Sequence, residues 1–541
     1  MSSISYLLDL PSELIIRLCL YLGAEDIVAL RQTCKELYAF EKSFYDTIWN
    51  ACLDRICHSS ELFSPTFKWG PMSPKGQESV ARRIEMMGPI LEKDSQSRSD
   101  KPLPSVSLDL LESFVDNSDE DFGFESIELL PGGRFILLFS AGFLHVWDLA
   151  PYLQNLATPI ERRLDLPWNF AQDAVVLPAL GADTTSVRFM LSLEPFDYDE
   201  LYAGWDPEKL KIFQIMELNF TDGDLQLRKI GDPLPLFYPF SETETDIDAY
   251  EEDLDITENY VLFRIRRTII AWNFQENAYV AWDLIGGDSE MFRFQISLAG
   301  DKLLVFEDDK LTVYEIPPLM PLPEAGSVID VTQLGPTPDP SQISVSLPGH
   351  ALICDGECEA WRGFAGSLKP SYYYVHHVGV SEAATKRAWY RISIDLASQT
   401  PVQVTDLGWD VARDLDGLGR FSSFHRPYKG KLIATSIWVP PSPDDDDSDA
   451  TPPMRNPQSA SVYVSVSDPS RSSTQPIQPR ESILLPMAHI KDIDEDWDHE
   501  INCDFCPLSG ILVVTTRRYR GPEVPPAKRI QVFDFVRSLL R

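Results

Sequence analysis

The residues that most often carry chemistry are present in this chain, but not in the patterns that chemistry needs. Cys354-x3-Cys358 and Cys503-x2-Cys506 have spacings at which thiolates hold zinc. The stretches between them, in "CDGEC" and "CDFC", lack the glycine-rich knuckle turns of zinc ribbons, and no matched histidine pair accompanies them. Free thiols in or beside strands are expected, and no metal. His376-His377 lies in a stretch that reads as a strand, where neighbours point to opposite faces and do not easily share an ion. There is no G-x-S-x-G elbow, no phosphate-binding Walker loop and no H-E-x-x-H helix. The 83 Asp and Glu residues are too many to nominate a catalytic pair. The expectation is a chain without catalytic residues and without a cofactor.

What these residues sit on follows from bulk properties. At 541 residues the chain is too long for one ordinary core. Its 44% hydrophobic and 11% aromatic content is that of a globular protein. The net charge of −36 repels phosphate backbones and anionic lipid and favours basic partners, so neither a nucleic acid nor a membrane is expected as a partner. The most apolar stretch, "LLDLPSELIIRLCLYL" (7–22), is interrupted by Asp9, Pro11, Glu13 and Arg17 and has no basic residue before it. It does not read as a signal peptide or an anchor. Eight cysteines spread thinly do not form a disulfide framework, and a cytoplasmic or nuclear location is expected.

Residues 7–57 read as three short amphipathic helices. In the first, Pro11 suits the opening helical position, Glu13 the positive dipole end, and Leu14, Ile15, Leu18 and Leu22 form an apolar stripe that Gly23 ends. The second carries Ile27, Leu30, Cys34 and Leu37, and the third carries Phe44, Ile48, Trp49 and Cys52 behind Ser43. So small a core usually needs a partner. "LPSELIIRLCLYLGAEDIVALRQTCKEL" resembles the F-box, through Leu10-Pro11-x-Glu13, Leu18, Leu22, Asp26-Ile27, Leu30 and Cys34, with Trp49 downstream. Thr33 and Leu37 stand where valine and tryptophan are commoner in that family. The resemblance implies docking on a Skp-family adaptor, and through it on a cullin, in an SCF-type ubiquitin ligase. It implies Leu10, Pro11, Leu14, Ile15, Leu18, Ile27 and Leu30 as adaptor contacts or their immediate supports.

Residues 58–104 read as a linker that holds one helix-forming segment, "QESVARRIEMMGPIL". From 105 to 541 short β-branched and aromatic runs replace helical periodicity, and they repeat. Four-strand units, labelled a to d, can be anchored on one aromatic in each c strand: Trp147, Phe213, Trp272, Tyr314, Tyr390, Tyr463 and Phe533. The fold class expected is multidomain, a small all-α helical domain followed by an all-β propeller of about seven four-stranded blades. "HVWDL" (145–149) and "VAWDL" (280–284) resemble the Trp-Asp signature of WD repeats, with these tryptophans expected in the core between blades. The last unit lacks a d strand, and "PSVSLDLL" (104–111) is expected to supply it and close the ring.

In antiparallel a-b-c-d units the b–c and d–a connections emerge at one end. The long insertions fall there: 194–208, 238–253, 439–458 and 517–529. Loops on a rigid scaffold are where recognition concentrates. Tyr198, Tyr202 and Trp205, with Arg517, Arg518, Tyr519 and Arg520, are therefore candidates for a face that meets a protein substrate of basic or mixed charge. The Asp444–Asp449 region is also read as a solvated acidic tract, and Arg517 to Arg529 only faintly resembles a bipartite nuclear signal. The function expected is a non-catalytic substrate-recognition subunit of an SCF-type ligase. A non-degradative F-box and propeller scaffold is the alternative, and a propeller hydrolase a weaker one.

Overall fold

The computed structural model describes residues 7, 9–60 and 73–97 and, between 105 and 537, the strands with their shorter turns. The connections at 61–72, 98–104, 111–123, 167–178, 194–201, 238–253, 284–294, 331–341, 347–357, 363–371, 395–401, 412–423, 439–460, 468–479, 487–498 and 519–526 lie outside it, as do both ends and a few short gaps. Between 358 and 486 the description is almost wholly of backbone.

Among the described residues of the first sixty lie the helices α1 (Ser12–Tyr21), α2 (Ala24–Thr33), α3 (Lys35–Ser43) and α4 (Tyr45–Ser60). The sequence pattern predicts a single helix where α2 and α3 lie. Cys34 separates them, in an extended conformation (φ −155°, ψ 163°), and its Sγ accepts from the Leu37 backbone N–H at 3.5 Å. No glycine or proline marks this break; Thr33 ends α2 with its hydroxyl on the Leu30 carbonyl, 2.7 Å. At the start of α2, Gly23 donates its N–H to the Asp26 carboxylate, satisfying one end of the helix by its own side chain. The segment read as linker contains a long helix, α5 (Pro74–Ser97), whose Val80, Ala81, Ile84 and Met87 are buried.

Among the described residues the strands form seven sheets, five of four strands and two of five. β1 (Val106–Asp109) comes first in the chain. β2–β5 (Phe124–Leu129, Phe135–Ser140, Phe143–Asp148, Ile160–Asp165) make the first sheet, and β6–β9 (Ala179–Leu180, Ser186–Leu193, Leu210–Thr221, Asp224–Phe237) the second. β10–β13 (Leu254–Ile256, Tyr260–Ile265, Thr268–Asn273, Ala278–Asp283) make the third. The fourth holds β14–β16 (Gln295–Ala299, Lys302–Phe306, Lys310–Glu315) and β19 (Gln342–Ser346). Between β16 and β19 the chain turns back, and β17 (Met320–Pro321) and β18 (Ile329–Asp330) cover the outer edges of the third and second sheets. β20–β23 (Cys358–Arg362, Tyr372–Ser381, Ala384–Ile394, Val402–Val411) and β24–β27 (Phe424–Tyr428, Lys431–Trp438, Ser461–Ser467, Arg480–Pro486) follow. β28–β30 (His499–Cys506, Ile511–Arg518, Ala527–Asp534) make the last sheet with β1.

Apart from β18, every pairing is antiparallel, and all seven aromatic anchors lie on the third strand of their sheet. β1 pairs with β30, Val106 opposite Asp534 and Asp109 opposite Gln531, so the fourth strand of the last sheet comes from the start of the β region. The first and last sheets meet: the Leu129 N–H donates to the buried Asp504 carboxylate at 2.8 Å. Apolar seams join first to second, second to third and third to fourth sheets. Successive four-stranded antiparallel sheets packed side by side are the arrangement of propeller folds. Trp272 and Trp282 are buried in the second and third of these seams, and Trp147 in the cluster that the first sheet shares with the last sheet and the helices. "HVWDL" forms the third strand of its sheet but "VAWDL" the fourth, so the two motifs are not equivalent positions of a repeat.

Candidate functional site

The apolar stripe of α1 splits into two faces. Ile15 and Cys19 point into the core with Leu22 against it, while Leu10, Leu14 and Leu18 remain exposed at 39, 45 and 39%. Leu14 and Leu18 are one turn apart, and Tyr21, 86% exposed, continues their row. Pro11 stands just before the helix, and its carbonyl accepts from Leu14 and Ile15. In α2, Ile27 is buried and Leu30 is partly buried against the same core. Of the seven docking candidates, then, Leu10, Leu14 and Leu18 are presented, whereas Ile15 and Ile27 support them from inside.

A polar network joins α2, α3 and α4 to α5. Arg31 donates to both Glu78 oxygens, with 2.9 Å to Oε2, and to Glu41 at 3.3 Å. The Tyr45 hydroxyl also donates to Glu78, and the Trp49 indole donates to Glu41 at 2.8 Å. Burial pushes the Glu78 pKa up, but the hydrogen bonds from Arg31 and Tyr45 outweigh it and hold the carboxyl below its ordinary value. Burial first, then the bond to Glu78, raises Tyr45. Arg55 donates to the Leu20 carbonyl at 2.6 Å and to that of Leu22, closing the C-terminal end of α1. Arg82 reaches Glu25 at 2.9 Å.

α5 then reaches the last sheet. Arg83, 3% exposed, donates its Nε to the Ser509 carbonyl at 2.7 Å and pairs with Asp534, which is 0% exposed. Asp534 also accepts the N–H groups of Val536 and Arg537. Two glycines allow this close approach. Gly510 has φ +66°, and a Cβ there would lie 2.6 Å from Met87 Sδ; Gly133 has φ +69°, and a Cβ would lie 1.9 Å from Ser509 Oγ. These contacts gather at the a–b turns of the first and last sheets and at the end of β30. Arg83, Glu78 and Arg31 were not singled out in the sequence. The signal for them was faint: charged residues interleaved with apolar ones in a helix-forming segment.

The long insertions leave from the other end of their sheets. By strand order 194–208, 439–458 and 517–529 join second to third strands, and 238–253 joins a fourth to the next first strand. Trp205 is 37% exposed beside Phe237, ring centroids 4.9 Å apart. Tyr202 is buried in the seam between the first two sheets and supports this turn from below rather than presenting its own ring. Arg517 and Arg518 end β29, with backbones opposite Lys528 and Ala527. Tyr198, Tyr519, Arg520 and the Asp444–Asp449 tract lie outside the described residues.

Cys503 and Cys506 are buried thiols on β28, and burial together with the charge of Asp504 pushes Cys503 up to about 12. Three positions apart on a strand, they face opposite sides of the sheet. Among the described residues there is no cluster of three or more metal-ligating side chains, and no helix is long and apolar enough to cross a membrane.

Residues 7–49 match the F-box domain family, and the N-terminal region of this chain is an F-box domain. No curated protein matches the chain. Among solved structures, the WD40 domain of SCAP from fission yeast is similar at 9% identity and TM-score 0.34, over 76% of this chain and 84% of that one. The core factor of S. cerevisiae is similar at 12% identity and TM-score 0.35, over 82% of this chain and 64% of that one. The polysaccharide lyase Uly1 is similar at 10% identity and TM-score 0.31, over 57% and 72%. These scores are too low to carry an argument, so the architecture of the β region rests on its own strand pairing.

Proposed function

We propose that this chain is the substrate-recognition subunit of an SCF-type cullin–RING ubiquitin ligase. The F-box would dock a Skp-family adaptor, and through it a cullin, while the sheets form a closed seven-bladed propeller that binds a target protein. Ubiquitin transfer belongs to other subunits, and this chain supplies no catalytic group. The domains would be the F-box over 7–57, a connecting segment over 58–104 that α5 braces against both neighbours, and the propeller over 105–541. The observation that carries the reading is the exposed row of Leu14 and Leu18 on a helix that buries Ile15 and Cys19 on its other side, with Leu10 exposed just before it, within the F-box match. An apolar row at one-turn spacing is how a helix seats in a partner's groove.

The test is capture of a purified Skp-family adaptor by the full chain. Removing residues 1–60 is a poor control, because α5 shares one apolar cluster with the helices that would be removed. Leu14→Asp with Leu18→Asp is better, since both side chains already face solvent. Loss of adaptor capture by a variant that still unfolds at the wild-type denaturant midpoint supports the proposal. Unchanged capture rejects the docking face.

A further inference from the structure

We propose that Pro318, Met320 and Pro321 form a docking line for a partner domain that grips proline-rich segments in an aromatic groove with a basic rim. The line belongs to the strap that runs between β16 and β19, and the proposal does not depend on the ligase reading.

The strap is pinned along its length. Met320 and Pro321, as β17, lie opposite Tyr279 and Ala278 of β13, and the Leu322 N–H donates to the Asn277 carbonyl at 2.9 Å. Leu319 packs on the seam between the third and fourth sheets, and Leu322 on the seam between the second and third. Further on, Ile329 is buried in that second seam and Val328 packs on the seam between the first two sheets. Ile329 and Asp330 pair with Leu236 and Phe237 of β9.

The first half of the strap, "IPPLMPLP" (316–323), holds four prolines in eight residues. Proline fixes its own φ near about −65° and bars the residue before it from helical geometry. Every residue of this segment except Leu319 is restricted in one of these two ways. The sequence therefore favours a polyproline II path, in which every third residue falls on one side. The exposures follow that period. Leu319 and Leu322 are half-buried against the seams, while Pro318 and Pro321 are exposed. The third row runs from buried Pro317 to Met320, 45% exposed, and then to half-buried Pro323.

This chemistry selects the occupant. With no N–H at four of eight positions, the segment cannot offer a full ladder to another β-strand, so strand addition by a second chain is disfavoured. What it presents is two proline rings, a thioether and the carbonyls between them. Aromatic rings pack on such a surface, and an indole N–H can donate to the carbonyls. Because the strap is already held in place, little conformational freedom is lost on binding. The flanking charge sets the rim. Glu324 follows the prolines, exposed and unpaired among the described residues. Glu315 precedes them with its side chain 61% exposed, although Lys302 reaches it at 3.4 Å. A groove rimmed by carboxylates meets repulsion there, and a basic rim is complementary.

The experiment uses the full chain, immobilised, and a purified WW domain that selects Pro-Leu-Pro segments and carries a lysine or arginine beside its groove. The wild-type chain is expected to bind this domain and not the same domain with its groove tryptophan changed to alanine. Pro318→Ala with Pro321→Ala should weaken binding at least about ten-fold. Glu324→Lys should weaken it about two- to three-fold, and should strengthen it by a similar factor once the basic rim residue of the domain is changed to glutamate. Wild-type denaturant midpoints in these variants mark the changes as lost contacts. Absence of binding by the wild-type chain up to about 1 mM domain overturns the proposal. So does equal binding by the double proline variant. Self-association of that variant, with no domain bound by the wild type, assigns the prolines to blunting a sheet edge and rejects the docking line.

Discussion

At the a–b end of the last sheet a buried arginine crosses from a helix to a buried aspartate; at the b–c end of the second sheet a tryptophan stands partly out of the surface. Arg83 and Asp534 are 3 and 0% exposed, and Trp205 is 37% exposed. The two ends of one kind of sheet are thus finished in opposite ways. The first is buried and ion-paired, with glycines at positive φ where a side chain would collide. The second leaves part of an indole ring uncovered beside Phe237, next to the Asp206–Lys209 ion pair. A charge withdrawn from water needs a partner to offset its desolvation, so the first end is a fixed joint. Aromatic area left uncovered can still gain a contact, so the second end is a surface and not a joint.

The contrast can be broken by substitution. Arg83→Ala should have the largest effect, about 3–5 kcal/mol of stability, because Asp534 is left buried without its counterion. Denaturant titration measures it, and the double variant Arg83→Met, Asp534→Leu should recover part of the loss. If Arg83→Ala costs under about 1 kcal/mol, the joint is not the tie described. Next comes the pair Ile15→Ala and Leu14→Ala on α1. The first should cost about 2–4 kcal/mol by opening a cavity. The second should cost under about 0.5 kcal/mol, as expected of an exposed position. Adaptor affinity should reverse the order, falling more for Leu14→Ala.

Glu78→Gln should follow, at about 1–3 kcal/mol, since the carboxylate receives bonds from both Arg31 and Tyr45. Its folded pKa lies below the ordinary value of 4.5. Its contribution is therefore complete above that value and is lost as pH falls through the folded pKa. Stability measured from pH 7 downward should decline in that window less steeply in Glu78→Gln than in the wild type. The smallest effect belongs to Trp205→Ala, within about 1 kcal/mol of stability by denaturant titration, as expected of a partly exposed side chain.

Much of the β region was legible in the sequence because strands announce themselves locally. The aromatic on each third strand, the turn residues between runs and the missing fourth strand of the last unit all appear within short windows. That is why "PSVSLDLL" was expected beside β30 before any pairing was seen, and why it lies there. The break at Cys34 was not legible, because a side-chain sulfur capping a neighbouring helix leaves no compositional mark. Nor was the division of α1. Leu14 and Ile15 are chemically near-equivalent, and the fold alone decides that one is 45% exposed and the other 4%.

By itself the sequence determined the F-box pattern, the strand periodicity and the sign of the charge, all of which depend on residue type and near neighbours. It also determined which end of the sheets carries the long insertions, since antiparallel order is set by counting strands. Tertiary structure decided what depends on partners hundreds of positions away. It docked α5, the helix-forming segment of the presumed linker, on Asp534 across 451 positions, and it placed Tyr202 inside and Trp205 outside one short turn. Such contacts are made between surfaces that exist only after the sheets have packed, and no local window contains them.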